Sequence, residues 1–195
     1  KTRQLAADAV VSFAQEDWDT PGSAASYGVA GWTEGEQEVL LYDRFDVWAV
    51  STGEPKIRSV TDGEGRADHL RFRLVRTDRE ERHLPRETDL IYSVLDEDTM
   101  ASGFYTDRIV GLTRPRPLLM EDAQLRVVTF DDAASRVFFT KSRFEMSPDL
   151  WTAAADFSEP RKLSALNPQQ AEVRWGTSEL IHWRSGDGTM VKGLL

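Results

Sequence analysis

The side chains able to carry chemistry are few, and their spacing says what they cannot do. Hydrolysis by a serine nucleophile in an α/β-hydrolase needs the pentad Gly-x-Ser-x-Gly, whose glycines allow the sharp turn that exposes the hydroxyl. Ser23 directly follows Gly22 and Ser185 directly precedes Gly186, so neither has that spacing. The histidines His69, His83 and His182 show no zinc-ligand spacing. His83 stands in a charged stretch and reads as solvated, while His182 alternates with Trp183 along a strand and reads as structural. The acidic run Asp96-Glu97-Asp98 invites a calcium reading, but it lacks the sixth-position glycine and closing glutamate of an EF-hand loop. It reads as a solvated turn. Without cysteine there are no disulfides, thiolate metal sites or thiol nucleophiles. The residues therefore assign no catalytic, cofactor-binding or metal position.

The wider composition narrows the partners. The chain has 195 residues, 40% of them apolar, which is enough to build a core. Its 24 basic against 33 acidic residues give a net charge of -9, the wrong sign for a nucleic-acid backbone or an anionic membrane surface. No apolar run approaches the ~18–20 residues of a membrane span, and no signal peptide is visible. The first residue is Lys1 rather than methionine, as in a processed piece.

Short aromatic and β-branched runs, such as 26–33, 38–43, 46–51 and 56–61, alternate with turn-forming residues. That pattern predicts a meander of antiparallel strands, with partial alternation suiting strands covered on both faces. The only good helical window is Thr2 to Phe13, where Leu5, Val10 and Phe13 share a face imperfectly; a short helix and irregular chain both fit. Asp17–Ala25 reads as an ordered loop.

An internal repeat sets the architecture. Val39–Tyr42 precedes Asp46-Val47-Trp48, and Val137–Thr140 precedes Asp149-Leu150-Trp151; each pair leads to a Glu-Pro turn and a basic, apolar run. The two tryptophans are 103 positions apart, about twice a four-strand unit of ~50 residues, and a weaker copy lies between them around Gly103-Phe104-Tyr105. Three units follow, at about 26–62, 68–121 and 124–166, behind an N-terminal segment 1–25. The expected fold is all-β: a partial β-propeller of about three four-stranded antiparallel blades plus a C-terminal hairpin. Trp32, Trp48 and Trp151 then belong to blade cores rather than to a carbohydrate platform, and Trp18 covers a blade or meets a partner. The insertion Arg76–Thr88, with eight charged residues, reads as a solvated loop between the first two strands of the middle unit. After the polar break Asn167–Gln170, residues 171–195 read as a linker and a hairpin turning at Asp187-Gly188. Because it ends at Leu194-Leu195 within an apolar strand, the chain is expected to be truncated.

The stretches DWDTPGSA (17–24), YGVAGWTEGEQEVLLYDRFDVWAV (27–50), SPDLWTAAADFSEPRKLSALNPQQAE (147–172) and WGTSELIHWRSGDGTMVKGLL (175–195) resemble serine peptidases of the prolyl oligopeptidase family, large bacterial members above all. The resemblance implies a propeller that precedes an α/β-hydrolase domain, with 171–195 forming the linker and first strands of that hydrolase. It implies that the catalytic domain lies outside these residues, so the fragment is expected to be inactive. The implied partners are the hydrolase domain of the parent chain and, in the full-length enzyme, peptide substrates whose access the propeller restricts. A homo-oligomer through open blade edges is a further expectation, unless segment 1–25 folds back over one face. The resemblance leaves the compartment open between bacterial cytoplasm and periplasm. The alternative reading is a free-standing propeller-type interaction module.

Overall fold

Turn chemistry cuts the chain into strands of two to nine residues. The structure is a computed structural model and describes residues 4–6, 9–77, 80–110 and 114–195. By its internal contacts the chain divides into two units: Lys1–Glu97 with Gly103–Met120, and Asp98–Ser102 with Glu121–Leu195.

The first unit begins with the meander β1 (Val29–Thr33), β2 (Glu38–Tyr42), β3 (Val47–Ser51) and β4 (Ile57–Ser59). Each strand pairs antiparallel with the next. The β2–β3 turn is fixed by Asp43, whose carboxylate accepts the backbone N–H of Phe45 (2.8 Å) and Asp46 (2.5 Å). The short helix α1 (Glu64–Asp68) follows. Next come β5 (Leu70–Val75), β6 (His83–Leu84), β7 (Asp89–Asp96), β8 (Ser102–Arg108) and β9 (Arg116–Glu121). The second sheet runs β5-β7-β8-β9, while β6 leaves it and joins β1 as a fifth strand of the first sheet. This corrects the expectation for Arg76–Thr88: part of the insertion is a strand, and Leu84 is buried. In β7 burial alternates along the strand, whereas β8 is covered on both faces. Leu40, Val47, Phe72, Tyr92 and Ile109 are wholly buried in one cluster, with Phe72 edge-on to Tyr92 and Tyr105.

Gly103 is required by close approach. A Cβ on it would stand 2.0 Å from the Leu119 carbonyl oxygen and 2.8 Å from Met120 Cα, so β8 and β9 meet at that distance only with hydrogen there.

The second unit holds β10 (Gln124–Phe130), β11 (Arg136–Arg143), β12 (Met146–Ala154) and β13 (Arg161–Lys162), paired antiparallel in that order. Its core gathers Val137, Phe139, Ala153 and Phe157, the two phenylalanine rings 5.9 Å apart. A separate hairpin, β14 (Leu180–Arg184) with β15 (Met190–Leu194), turns at the expected Asp187-Gly188.

The described residues of the N-terminal window, 4–6 and 9–13, form no helix. Instead Phe13 and Gln15 bond across to Tyr27 and Ala25, closing 14–26 as an ordered loop. Tyr27 Oη accepts the Glu16 N–H at 2.8 Å, and the Glu16 carboxylate meets Arg66 at 2.6 Å. With Leu5, Val10 and Phe13 off a regular helical stripe, strand-like pairing to Tyr27 satisfies the backbone better than an isolated short helix.

Candidate functional site

The residues weighed for chemistry are dispersed. Ser23 is exposed in the N-terminal loop. The Ser185 hydroxyl donates to Asp187 and to the Thr189 carbonyl, so it is spent on the hairpin turn. His69 ends α1 and stacks on Phe45 at 5.8 Å; His83 lies in β6, 3.6 Å from Glu36; His182 lies exposed on β14. Of the acidic run, Glu97 is held by Arg44 at 2.9 Å, and Asp98 lies 3.6 Å from Lys192. Among the described residues no three His, Cys, Asp or Glu side chains converge as a metal site would require. Trp18 and Trp32 are both exposed, so the core assignment fails for Trp32.

The Asp-x-Trp elements, by contrast, are built alike. Asp149, Trp151 and Ser164 each stand 103 positions after Asp46, Trp48 and Thr61. Thr61 Oγ1 donates to Asp46 at 2.6 Å, and the backbone N–H groups of Gly65 and Arg66 donate to it at 2.9 Å. Ser164 Oγ donates to Asp149 at 2.8 Å, as does the Leu166 N–H. In both sheets a buried aspartate at the third strand thus latches the chain that leaves the fourth. Burial pushes the Asp46 carboxyl above the ordinary carboxylate range. The Lys162 ammonium, 2.6 Å away, with the Leu166 N–H and Ser164, instead holds Asp149 down at about 2.

Ser102 takes this place in the middle unit, and sequence reasoning missed it. Its hydroxyl donates to the Ala123 carbonyl at 2.7 Å and accepts the Leu125 N–H at 2.8 Å. Ser102-Gly103-Phe104 is therefore the counterpart of Asp-x-Trp; the available signal was Gly103-Phe104-Tyr105, one residue out of register. Trp48 and Trp151 are half-buried rather than fully enclosed, with buried indole N–H groups that have no acceptor among the described residues.

The second unit carries a concave site of about 430 Å³ beside the Asp149 latch. Asp149 and Lys162 line it together with Ser147, Asn167, Gln170 and Trp175. The linker wall is fastened by Asn167 Nδ2 to Ser147 Oγ (2.7 Å), Gln170 Nε2 to the Glu145 carbonyl (2.9 Å), and Trp175 Nε1 to the Phe144 carbonyl (3.0 Å). Neither serine faces a base: Ser147 is bonded to an amide, and Ser164 to a carboxylate already neutralised by Lys162. Acyl transfer needs a nucleophile beside a base oriented by a third group, and these residues supply none. What they form is a groove lined by both polar and apolar side chains.

No protein-family model matches the chain, and no curated protein does. Among solved structures, prolyl oligopeptidase B from Galerina marginata is similar over 89% of this chain and 24% of its own, with a TM-score of 0.51 at 14% identity. A prolyl endopeptidase is similar over 84% of this chain and 30% of its own, with a TM-score of 0.40 at 12% identity. The chain thus spans less than a third of the length of either. At 14% identity the first likeness speaks for fold: this all-β chain, with one five-stranded and two four-stranded sheets, is a partial β-propeller with a C-terminal hairpin, and no barrel closes among the described residues.

Proposed function

We propose that the chain is the noncatalytic propeller segment of a serine peptidase resembling prolyl oligopeptidases, and that in the whole protein it restricts which peptides reach the catalytic site. The observation that carries this reading is a fold likeness covering 89% of this chain but only 24% of the oligopeptidase. The hairpin β14–β15 adds support. A two-stranded sheet is marginal alone, and this one exposes Trp183, Met190 and Leu194, which a hydrolase domain of the parent chain would cover. Acyl transfer by a Ser-His-Asp triad belongs to that domain.

The test is size selection by the whole encoded protein. Peptides of about ten residues and of about fifty, sharing one cleavable sequence, are compared by kcat/KM. The reading expects cleavage of the short peptide and a loss of at least about a hundredfold for the long one, a barrier of about 2.7 kcal/mol. Equal cleavage of both refutes the gating role. No cleavage of either favours the interaction module.

A further inference from the structure

The edge of β1 is covered by a strand that does not belong to its own meander. Strand β6 pairs parallel with it, Trp32 against His83 and Thr33 against Leu84. Leu84 is buried over Gly31, where a Cβ would stand 2.9 Å from Leu84 Cδ1 and 2.7 Å from Arg76 Nη2. Glycine thus makes a notch, and the leucine fills it. Arg76 Nη2 donates to the Ala30 carbonyl beside the notch at 3.0 Å, and Nη1 to the Glu81 carbonyl at 3.0 Å. Past β6, Arg86 donates to Gln37 Oε1 at 3.0 Å and meets Glu38 at 3.2 Å. The cover is short, with two residue pairs, and Val29 at the other end of β1 stays 58% exposed.

We propose that the β1 edge is a strand-addition site for an extended peptide, and that β6 with its flanking residues, 80–87, is its internal ligand. Main-chain bonds along an open edge supply affinity, and a side-chain pocket supplies selectivity. The Gly31 notch takes an unbranched-at-Cβ aliphatic residue such as leucine. The position before it faces Glu36, 3.6 Å from His83 Nε2, with Glu34 exposed on the same turn, so it takes a basic residue. The partner is therefore an extended peptide carrying a basic-aliphatic pair. A tethered strand competes at an effective concentration of about millimolar order. The strap accordingly keeps the edge closed until a partner of higher affinity displaces it, and it guards that edge against pairing between copies. The site lies within the first unit and does not depend on the peptidase reading.

The test uses a fluorescein-labelled peptide with the sequence of residues 80–87, and the same peptide carrying Leu84→Asp. Each is titrated by anisotropy against the chain and against its Leu84→Asp variant, whose strap lacks the plug. The expected result is binding of the leucine peptide at least about tenfold tighter to the variant than to the intact chain. The aspartate peptide should bind neither, and Gly31→Val added to the variant should abolish binding. The proposal is overturned if the variant keeps the circular dichroism of the intact chain and binds neither peptide, or binds both equally. Hydrogen exchange on the intact chain decides the matter should the variant not fold. Amides of residues 80–87 should exchange at least about tenfold faster than those of β2 and β3; equal protection means a fixed strand and overturns the proposal.

Discussion

Replacing Asp46 by alanine removes one carboxylate and strands three donors. The Thr61 hydroxyl, at 2.6 Å, and the Gly65 and Arg66 N–H groups, at 2.9 Å, all end on this side chain, which is 1% exposed. A buried donor left without an acceptor costs about 1–3 kcal/mol. The three share one network and do not add in full, so the expected loss is about 3–5 kcal/mol. Asp46→Asn separates hydrogen bonding from charge. Its remaining oxygen still serves Thr61 and Gly65, while its amide group faces the Arg66 N–H, and a loss of about 1–2 kcal/mol is expected. Burial already disfavours the ionised carboxyl at this position, so removing the charge is partly offset. Thr61→Val removes one donor and also strips Val47 N–H of its acceptor at 3.2 Å, which should cost about 1–2 kcal/mol. Urea titration followed by tryptophan fluorescence reads all three, with Trp48 two residues from the latch. A loss below about 1 kcal/mol for Asp46→Ala would mean that the aspartate is an ornament of the repeat and that the latch argument is wrong.

Gly103→Ala should destabilise the first unit by about 3 kcal/mol, because its methyl meets backbone atoms of β9 rather than a movable side chain; an unchanged urea midpoint contradicts this. Tyr92→Phe should leave stability unchanged or raise it by up to about 1 kcal/mol, since the wholly buried hydroxyl has no partner among the described residues; a loss above about 1 kcal/mol in the same titration counts against it. Acid should weaken the second unit through Asp149. Its folded value lies below the unfolded one, so its contribution is present above about pH 4 and is lost as pH falls towards 2. The urea midpoint reported by Trp151 should drop across that window, and Asp149→Asn should flatten the drop. Asp46 and Glu64, raised by burial, act in the opposite sense in the first unit, adding stability as they protonate.

Much of the strand layout was legible because local signals agree there. Glu34-Gly35-Glu36 and Asp43 mark turns, and the apolar runs that follow each fall on β2 and β3. The repeat was legible because Asp-x-Trp recurs with its neighbours in order. What escaped depends on partners distant in sequence. Strand β6 is two residues within eight charged ones, and its burial comes from Gly31, more than fifty positions earlier, so no window around Leu84 reveals it. Ser102 escaped because a hydroxyl that both donates and accepts can stand in for a carboxylate that only accepts, provided the chain it holds presents both a carbonyl and an N–H. The groove was invisible for the same reason: Asn167, Gln170 and Trp175 look like a polar break until their bonds to Ser147, Glu145 and Phe144 are seen.

The most direct test of the central claim is labelling of the whole encoded protein with a fluorophosphonate probe, the modified serine being mapped by mass spectrometry. Such probes report a serine activated by a neighbouring base. The account predicts one labelled serine, in a Gly-x-Ser-x-Gly element beyond Leu195, and none among residues 1–195. Labelling of Ser23, Ser147, Ser164, Ser185 or any other serine within these residues, or a whole protein that takes up no label, would contradict it.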